Sequence, residues 1–163
     1  SNLKEKSKIN YSNRFNAILV QDSDNINFTK KNYRVVSKKK PSNELLNKLI
    51  FAFNVCRNVK SNAIVITKDY KTVGIGSGQP SRLDSCKIAI DKMKKFQKST
   101  DDYDLLAASD AFFPFVDGLE TLVQAGVTGV IQPSDSKNDK EIIKFANQTD
   151  TVLVFSHTRH FNH

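Results

Sequence analysis

The stretch "DLLAASDAFFPFVDGLETLVQAGVTGVIQP", residues 104–133, contains the pattern that decides the fold class. The short apolar runs "DLLAAS" and "VTGVIQP" at its two ends each predict a buried strand. Between them, "LETLVQA" predicts a helix that Asp117 caps and Gly126 ends. A strand, a helix and a second strand in this order are typical of parallel strands joined by a crossover helix.

The rest of the chain continues this alternation. Strands are predicted at "NAILVQD", which we expect to be buried, and at "YRVVS", "NAIVIT", "TVGIGSG" and "TVLVFS". The third and fourth of these five form a hairpin. Helices are predicted from an N-cap at Ser42 to Cys56, from a capping-box-like start at Ser81 and Asp84, and over "KNDKEIIKFANQ". We therefore expect a three-layer α/β fold, in which helices cover both faces of a mixed, mostly parallel sheet.

Length and composition fit one globular domain. The chain has 163 residues, 39% of them hydrophobic and 26% charged, which is enough to bury a core. Residues 1–14 are polar and aperiodic, so we expect a mobile lead-in before a single domain over residues 15–163. No apolar run approaches the roughly 20 residues of a membrane span, and no signal peptide is recognisable. Cys56 and Cys86 lack C-x-x-C spacing, which predicts buried, reduced thiols and a cytoplasmic location.

The formal net charge of +8 raises the question of an anionic partner. Lysines are scattered along the chain, and neither an arginine-rich stripe nor an RNA-binding aromatic motif is present. The pattern therefore favours solvated lysine faces over a nucleic-acid site. The same charge would attract phosphorylated or carboxylated substrates.

Three unusual stretches, "GSGQPSR", "SDAFFPF" and "SHTRHFNH", each follow a predicted strand. Ligands in open α/β sheets bind beyond the carboxyl ends of strands, so these stretches predict a site. In the second stretch, phenylalanines stand beside Asp110 and Asp117. They either line a ligand site or pack inward next to a helix cap. In the first, the glycines permit close approach of backbone to a ligand or simply form a tight turn. Arg82 would meet an anion or carbonyl there, or form a surface salt bridge.

The last stretch and the start of one strand offer further candidates. The histidines of "HTRHFNH" do not have the spacing of a known zinc site, so Arg159, flanked by Phe161, is the better candidate as an anion clamp. Asn62 either caps its own backbone or presents a donor and an acceptor to a cleft. The sequence contains neither a G-x-S-x-G nucleophile elbow nor a plausible catalytic cysteine.

Five stretches, in order and spacing, together resemble the AICAR transformylases: "VKSNAIV", "TVGIGSGQPSR", "ASDAFFPFVDG", "AGVTGVIQP" and "TRHFNH". These enzymes form the larger part of a bifunctional purine biosynthesis protein that also carries IMP cyclohydrolase. The stretches "ILVQDSD" and "ELLNKLIFAFNVCRNVKSN" extend the resemblance over residues 16–163. The resemblance implies that the chain is the second of two transformylase halves with a cytidine deaminase-like fold. Val116 stands where the family usually has arginine, which changes the local charge balance.

The activity that this resemblance implies is formyl transfer from 10-formyltetrahydrofolate, as cosubstrate, to the exocyclic amine of AICAR in de novo IMP synthesis. That amine is a poor nucleophile, so catalysis needs orientation, proton removal and oxyanion stabilisation. In the family a Lys-His pair of the first half does much of this, so the chain alone is expected to be inactive. The deaminase signature H-x-E with P-C-x-x-C is absent from the sequence, so we expect no zinc hydrolysis.

The resemblance also assigns roles to residues. Asn62, the catalytic candidate, would hold the AICAR carboxamide or the transferred formyl oxygen, and Asp117 would accept hydrogen bonds from the folate ring. The other substrate-binding candidates would line the nucleotide side, wall the cleft or clamp the phosphate: Arg82, Phe112, Pro114, Arg159, Phe161 and His163. The resemblance further implies a structural potassium ion near Ser61 and Asp110.

The last expectations concern the binding partners of the chain and two alternative functions. The resemblance implies that AICAR and folate are the small-molecule partners and that the full-length protein is a homodimer, without nucleic-acid or membrane partners. A second hypothesis is a stand-alone nucleotide-binding or regulatory module on a deaminase-like fold. A third, a nucleic-acid-binding protein, rests on charge alone. Titration with AICAR and a folate analogue separates the first two hypotheses, and salt-sensitive DNA binding would favour the third.

Overall fold

The structure, a computed structural model, describes residues 9–22, 24, 32–96, 104–160 and 162. Strands and helices alternate through most of these ranges. In chain order they are β1 (Ile9–Arg14), β2 (Ala17–Asp22), β3 (Tyr33–Val35), α1 (Asn43–Cys56), β4 (Ile64–Lys68), β5 (Lys71–Gly76), α2 (Arg82–Phe96), β6 (Leu105–Ser109), α3 (Val116–Gln124), β7 (Val127–Pro133), α4 (Asp139–Gln148) and β8 (Val152–Ser156). The structure thus confirms the predicted strand, helix and strand over residues 104–133.

The main sheet has six strands in the order β3-β8-β7-β6-β4-β5. The neighbours β6 and β7, and β7 and β8, are parallel. The pairs β3–β8, β4–β5 and β4–β6 are antiparallel. The predicted mixed sheet is confirmed, but the expectation that it is mostly parallel is wrong. The β4–β5 hairpin and the short edge strand β3 reverse the direction of the chain.

Helices cover both faces of this sheet, as predicted. Successive strand residues point to opposite faces, and the apolar ones form a core on each face. Helix α1 packs Leu49 and Phe53 on one face, against a core that includes Val65 and Ala108. Helices α2, α3 and α4 pack on the other face, against residues such as Ile64. Ser42 caps α1 as predicted, because its side chain accepts a hydrogen bond from the Leu45 backbone N–H at 3.1 Å.

The two cysteines lie in these cores. Cys56 and Cys86 are free thiols and both are buried, as predicted. Burial raises the pKa of the Cys86 thiol to about 12, so this side chain stays protonated and unreactive at neutral pH. None of the helices in the described ranges is long and apolar enough to cross a membrane.

Helix α2 lies directly on the backbone of β5. A Cβ atom at Gly74 would lie 2.1 Å from the carbonyl oxygen of Ala89, and one at Gly76 would lie 1.9 Å from that of Ser85. Both distances are far inside van der Waals contact, so only glycine permits this approach. Two of the glycines of "GIGSG" therefore serve helix packing rather than ligand approach or a turn.

The ends of several strands lie together at one end of the main sheet, which we call its carboxyl edge. Strands β6, β7 and β8 are parallel, and β5 runs in the same direction because both β5 and β6 are antiparallel to β4. The carboxyl ends of these four strands and the amino end of β4 consequently meet at one edge. The three stretches singled out in the sequence begin there.

The beginning of the chain differs from expectation. Residues 9–14, expected to be an aperiodic lead-in, form β1, which pairs with β2 in a separate two-stranded sheet. Strand β2 is exposed rather than buried, with Ile18 68% and Val20 54% accessible. The apolar run predicted a strand correctly. It did not predict that the strand pairs with β1 in a separate sheet and, within the described ranges, contributes to neither core cluster.

The start of α3 is a second correction. The helix begins at Val116 with Phe115 in the N-cap position, and no side chain makes a capping hydrogen bond. Asp117 is therefore not the helix cap. Its carboxylate accepts a hydrogen bond from the backbone N–H of Gly118 at 2.7 Å, within the first turn. An acidic side chain there still interacts favourably with the helix dipole.

Candidate functional site

A buried ion pair lies at the carboxyl edge of the sheet. Asp110 is 1% exposed and accepts a hydrogen bond from Nη2 of Arg82 at 2.7 Å. Its second carboxylate oxygen accepts one from the hydroxyl of Ser61. Arg82 also donates through Nε to Ser109 at 3.0 Å. These contacts join the end of β6, the start of α2 and the residues before β4.

This ion pair fixes what Arg82 can do. The arginine side chain is 11% exposed and the aspartate side chain 1%, so the salt bridge is buried rather than on the surface. A third hydrogen bond, from Nη1 to the carbonyl oxygen of Phe112 at 3.5 Å, connects the arginine to residues 110–115, the loop between β6 and α3 that we call the aromatic loop. Arg82 therefore holds the loop after β6 against the first turn of α2, and it also lines the cavity beside them.

A cavity of about 380 Å³ opens next to the ion pair. This volume lies in the range of small-molecule sites. The cavity is lined by Asn62, Pro80, Ser81, Arg82, Leu83, Phe113, Pro114, Phe115, Asp117 and Gly118. Four of the predicted site residues are thus brought together there, namely Asn62, Arg82, Pro114 and Asp117.

The aromatic loop combines both interpretations of its sequence. Phe113 is 1% exposed and belongs to the core, yet it also lines the cavity. Gly118 permits this packing, because a Cβ atom there would lie 2.6 Å from the Phe113 ring. Phe115 is 62% exposed at the cavity, and Pro114 is held through its carbonyl oxygen by the side-chain amide of Asn138 at 2.5 Å. The loop is therefore half core and half site wall.

Asn62 presents one particular end of its amide. Its Nδ2 donates to the carbonyl oxygens of Gln79 at 2.8 Å and Pro80 at 3.1 Å. Carbonyl oxygens only accept hydrogen bonds, so they fix the orientation of the amide. Oδ1 is the atom left to interact with a ligand, and it can only accept. The backbone carbonyl oxygen of Asn62 accepts from the hydroxyl of Ser85 at 2.8 Å, which ties the residue to α2.

Arg159 lies beside the Phe112 ring. Its side chain is exposed, with the guanidinium carbon 4.7 Å from the centroid of the Phe112 ring. The backbone around it is anchored to the same edge, because His160 N donates to Asp110 O at 3.0 Å and Ser61 N donates to Asn162 O at 3.0 Å. Arg159 and Phe112 do not line the cavity, although Phe112 directly precedes Phe113, which does. Phe161 and His163 lie outside the described residues.

Two of the histidines of "HTRHFNH" fall within the described residues. His157 is exposed, whereas His160 is buried and its Nδ1 contacts the carboxylate of Asp24. Among the described residues, three or more side chains of the types that bind metals do not cluster anywhere. Asp24 lies 136 residues before His160, so no local pattern could have paired them. Sequence reasoning missed this contact and also the role of Asn138.

The fold and the site define an α/β protein with a small-molecule cavity at the carboxyl edge of its sheet. A family model described as "AICARFT/IMPCHase bienzyme" matches residues 1–92, more than half of the chain. The chain belongs to this family.

Curated relatives are bifunctional purine biosynthesis proteins named PurH. The one from Bartonella henselae is 47% identical over 151 residues, which is 90% of this chain and 28% of the relative. That from Rhodospirillum rubrum is 45% identical over 151 residues, with 90% and 29% covered. The chain thus spans less than a third of the relatives' length. Among solved structures, the apo dCMP deaminase of cyanophage S-TIM5 is similar with a TM-score of 0.44 at 18% identity, over 69% of this chain and 98% of that one.

Proposed function

We propose that this chain is the C-terminal part of the AICAR transformylase region of a bifunctional purine biosynthesis enzyme. Within the full-length enzyme it would take part in formyl transfer from 10-formyltetrahydrofolate to AICAR. The observation that carries the proposal is the cavity beside the Arg82–Asp110 ion pair, with Asn62 and Asp117 at its wall. Membership of the family and the names of the relatives support it.

The orientation of Asn62 supports one of its two possible roles. A carbonyl oxygen that can only accept suits an N–H group of AICAR, either of the carboxamide or of the amine that attacks. The transferred formyl oxygen would need a donor instead, and Nδ2 is already bonded to two carbonyl oxygens. We therefore assign Asn62 to orienting the AICAR nitrogen groups, a positioning contribution to catalysis.

Ser61 and Asp110 do not form a potassium site in this proposal. The hydroxyl of Ser61 is bonded to Asp110, and the other oxygen of Asp110 is bonded to Arg82. In this arrangement the carboxylate charge is neutralised by the arginine, so the residues present do not fit a second cation.

The folate cosubstrate would bind in the cavity. Its apolar wall, formed in part by Phe113 and Pro114, suits a flat heterocycle.

A first test addresses the binding of the AICAR phosphate by Arg159. Replacing Arg159 with alanine in a full-length protein that carries this region is expected to weaken AICAR binding roughly 10- to 100-fold, the value of a charged hydrogen bond to a phosphate. Binding of the folate cosubstrate should change much less. Calorimetric titration of both ligands measures the two affinities. Lys71→Ala is the matched control, because Lys71 is an exposed cation at the start of β5, on the opposite edge of the sheet. Equal losses for both ligands would contradict the phosphate role.

A second test addresses folate recognition. The Asp117→Asn variant exchanges one acceptor oxygen for a donor, so the affinity for a folate analogue is expected to fall about tenfold while that for AICAR stays the same. Stability should change by less than about 1 kcal/mol, because Asp117 is in the first turn of α3 and is not its cap. Glu120→Gln, an exposed change on the same helix, is the control. An unchanged folate affinity would mean that Asp117 serves the helix only.

A further inference from the structure

The residues after β8 belong to neither a helix nor a strand, and we call residues 157–160 the C-terminal strap. Burial alternates along it, because Thr158 and His160 are buried while His157 and Arg159 are exposed. This alternation puts the side chains of neighbouring strap residues on opposite sides, one towards the protein and the next towards solvent. The direction of the Arg159 side chain is therefore set by how firmly its two buried neighbours are held.

Thr158 is held by the end of β8. Its backbone N–H donates to the Ser156 hydroxyl at 3.2 Å, and that hydroxyl donates to the Thr158 carbonyl oxygen at 2.5 Å. The strap is also tied by the backbone N–H of His157, which donates to the carbonyl oxygen of Asn32 at 2.8 Å. These contacts fix the first half of the strap.

His160 fixes the second half. Its ring is 1% exposed, lies 4.6 Å from the centroid of the Phe53 ring, and contacts the carboxylate of Asp24 through Nδ1. Its backbone N–H donates to the backbone carbonyl oxygen of Asp110, whose side chain is the acidic member of the buried ion pair. Asp24, two residues after the end of β2, thus contacts the part of the strap that carries Arg159.

The protonation state of the pair follows from its surroundings. Burial lowers the pKa of the His160 imidazole, and nearby Arg57 lowers it further, while Asp24 and Asp110 act in the opposite direction. Nε2 is buried without a hydrogen-bond partner among the described residues, so a second ring proton would find no acceptor in them. At neutral pH the ring is neutral, and its proton lies on Nδ1 and is donated to Asp24.

We propose that Asp24 and His160 are a positioning pair that holds Arg159 above Phe112, where it can bind the anionic group of a ligand. The inference rests on the anion role of Arg159 proposed above. The pair does not touch the ligand. It acts by keeping His160 in the core, which keeps its neighbour Arg159 turned outward at 4.7 Å from the Phe112 ring. Asp24 is the residue that makes this placement depend on a distant part of the chain.

The experiment is a sulfate titration of the 163-residue chain, followed through the amide NMR signals of Arg159 and Phe112. Sulfate is the probe because it keeps the same charge across the working pH range. Arg159→Ala gives the largest loss that the site can show. Asp24→Ala is expected to weaken sulfate binding at these signals about tenfold, and no further than Arg159→Ala does, because a misplaced arginine loses a charge-assisted hydrogen bond.

The double variant separates positioning from general damage to the fold. If Asp24 acts through Arg159, then Asp24→Ala combined with Arg159→Ala binds sulfate no more weakly than Arg159→Ala alone. Ile142→Val is the control, because it removes a buried methyl group from α4 and should leave the sulfate affinity unchanged. Asp24→Asn is the second variant in case Asp24→Ala does not fold. It keeps an acceptor for Nδ1–H at a weaker strength, and we expect a loss of about threefold.

Two different results identify two different failures. If Arg159→Ala weakens sulfate binding while folded Asp24→Ala and Asp24→Asn bind as the unmodified chain does, the positioning role is wrong and the anion role stands. The positioning role is equally wrong if the losses of the two single variants add in the double variant. If Arg159→Ala itself has no effect, the anion role proposed for this residue is wrong.

Discussion

The Arg82→Met variant is expected to lose about 3–5 kcal/mol of unfolding free energy, the usual effect of removing one partner from a buried ion pair. Methionine fills much of the space of the arginine stem, so the loss would come from the charge of Asp110. That carboxylate is 1% exposed and would retain only the Ser61 hydroxyl as a partner among the contacts described above. Chemical denaturation of the purified chain measures the change.

The control for this prediction is a surface ion pair. Lys39 and Asp150 lie 2.9 Å apart with side chains 43% and 81% exposed, so Lys39→Met should change stability by less than about 1 kcal/mol. A double variant with Arg82→Met and Asp110→Leu should be more stable than Arg82→Met alone, because no unpaired charge stays buried. A loss under about 1 kcal/mol for Arg82→Met would contradict the conclusion that the Arg82–Asp110 ion pair stabilises the fold.

The second large effect concerns activity. On its own, the 163-residue chain is expected to transfer formyl groups at least about 10²- to 10⁴-fold more slowly than a full-length relative, because an activating base typically contributes that much. The resemblance assigns that base, in a Lys-His pair, to a part of the family's protein that lies outside this chain. Loss of substrate positioning by the missing region would lower the rate further.

A formyl-transfer assay beside a thermal melt tests this. A cooperative melt without turnover is the expected result, since the six-stranded sheet and the helices on both its faces lie within this chain. Turnover close to that of a full-length relative would place the catalytic groups within these 163 residues and would overturn the assignment. Addition of the remaining part of a relative as a separate chain is the positive control.

The sequence was sufficient to predict most of the main sheet and its helices. Local signals were strong there, such as the Ser42 cap, the β4–β5 hairpin and the apolar stripes of the helices. Strand direction was predicted less well. Periodicity shows that a segment is a strand, but it does not show which neighbour the strand pairs with. For the same reason an apolar run, residues 16–22, was expected to be buried and instead forms an exposed hairpin strand.

The site was predicted as a set of stretches rather than as a set of contacts. Topology explains why "GSGQPSR", "SDAFFPF" and "SHTRHFNH" meet, since strand ends of one direction share an edge. The sequence could not show that Arg82 and Asp110 pair with each other. It could not show which end of the Asn62 amide faces a ligand, because this depends on the carbonyl oxygens of Gln79 and Pro80. Nor could it link Asp24 to His160.

The glycine contact between α2 and β5 has a consequence for the entropy of ligand binding. Helix α2 rests on the strand backbone without side chains between them at Gly74 and Gly76, so the first turn that carries Arg82 is held in place before any ligand arrives. A ligand would not have to order this wall. The ordering cost, about 0.5–1.5 kcal/mol for each immobilised flexible side chain, would fall on exposed groups such as Phe115 and Arg159. Ligand affinity should therefore improve most when the exposed side chains of Phe115 and Arg159 are made less mobile, and least when α2 is changed.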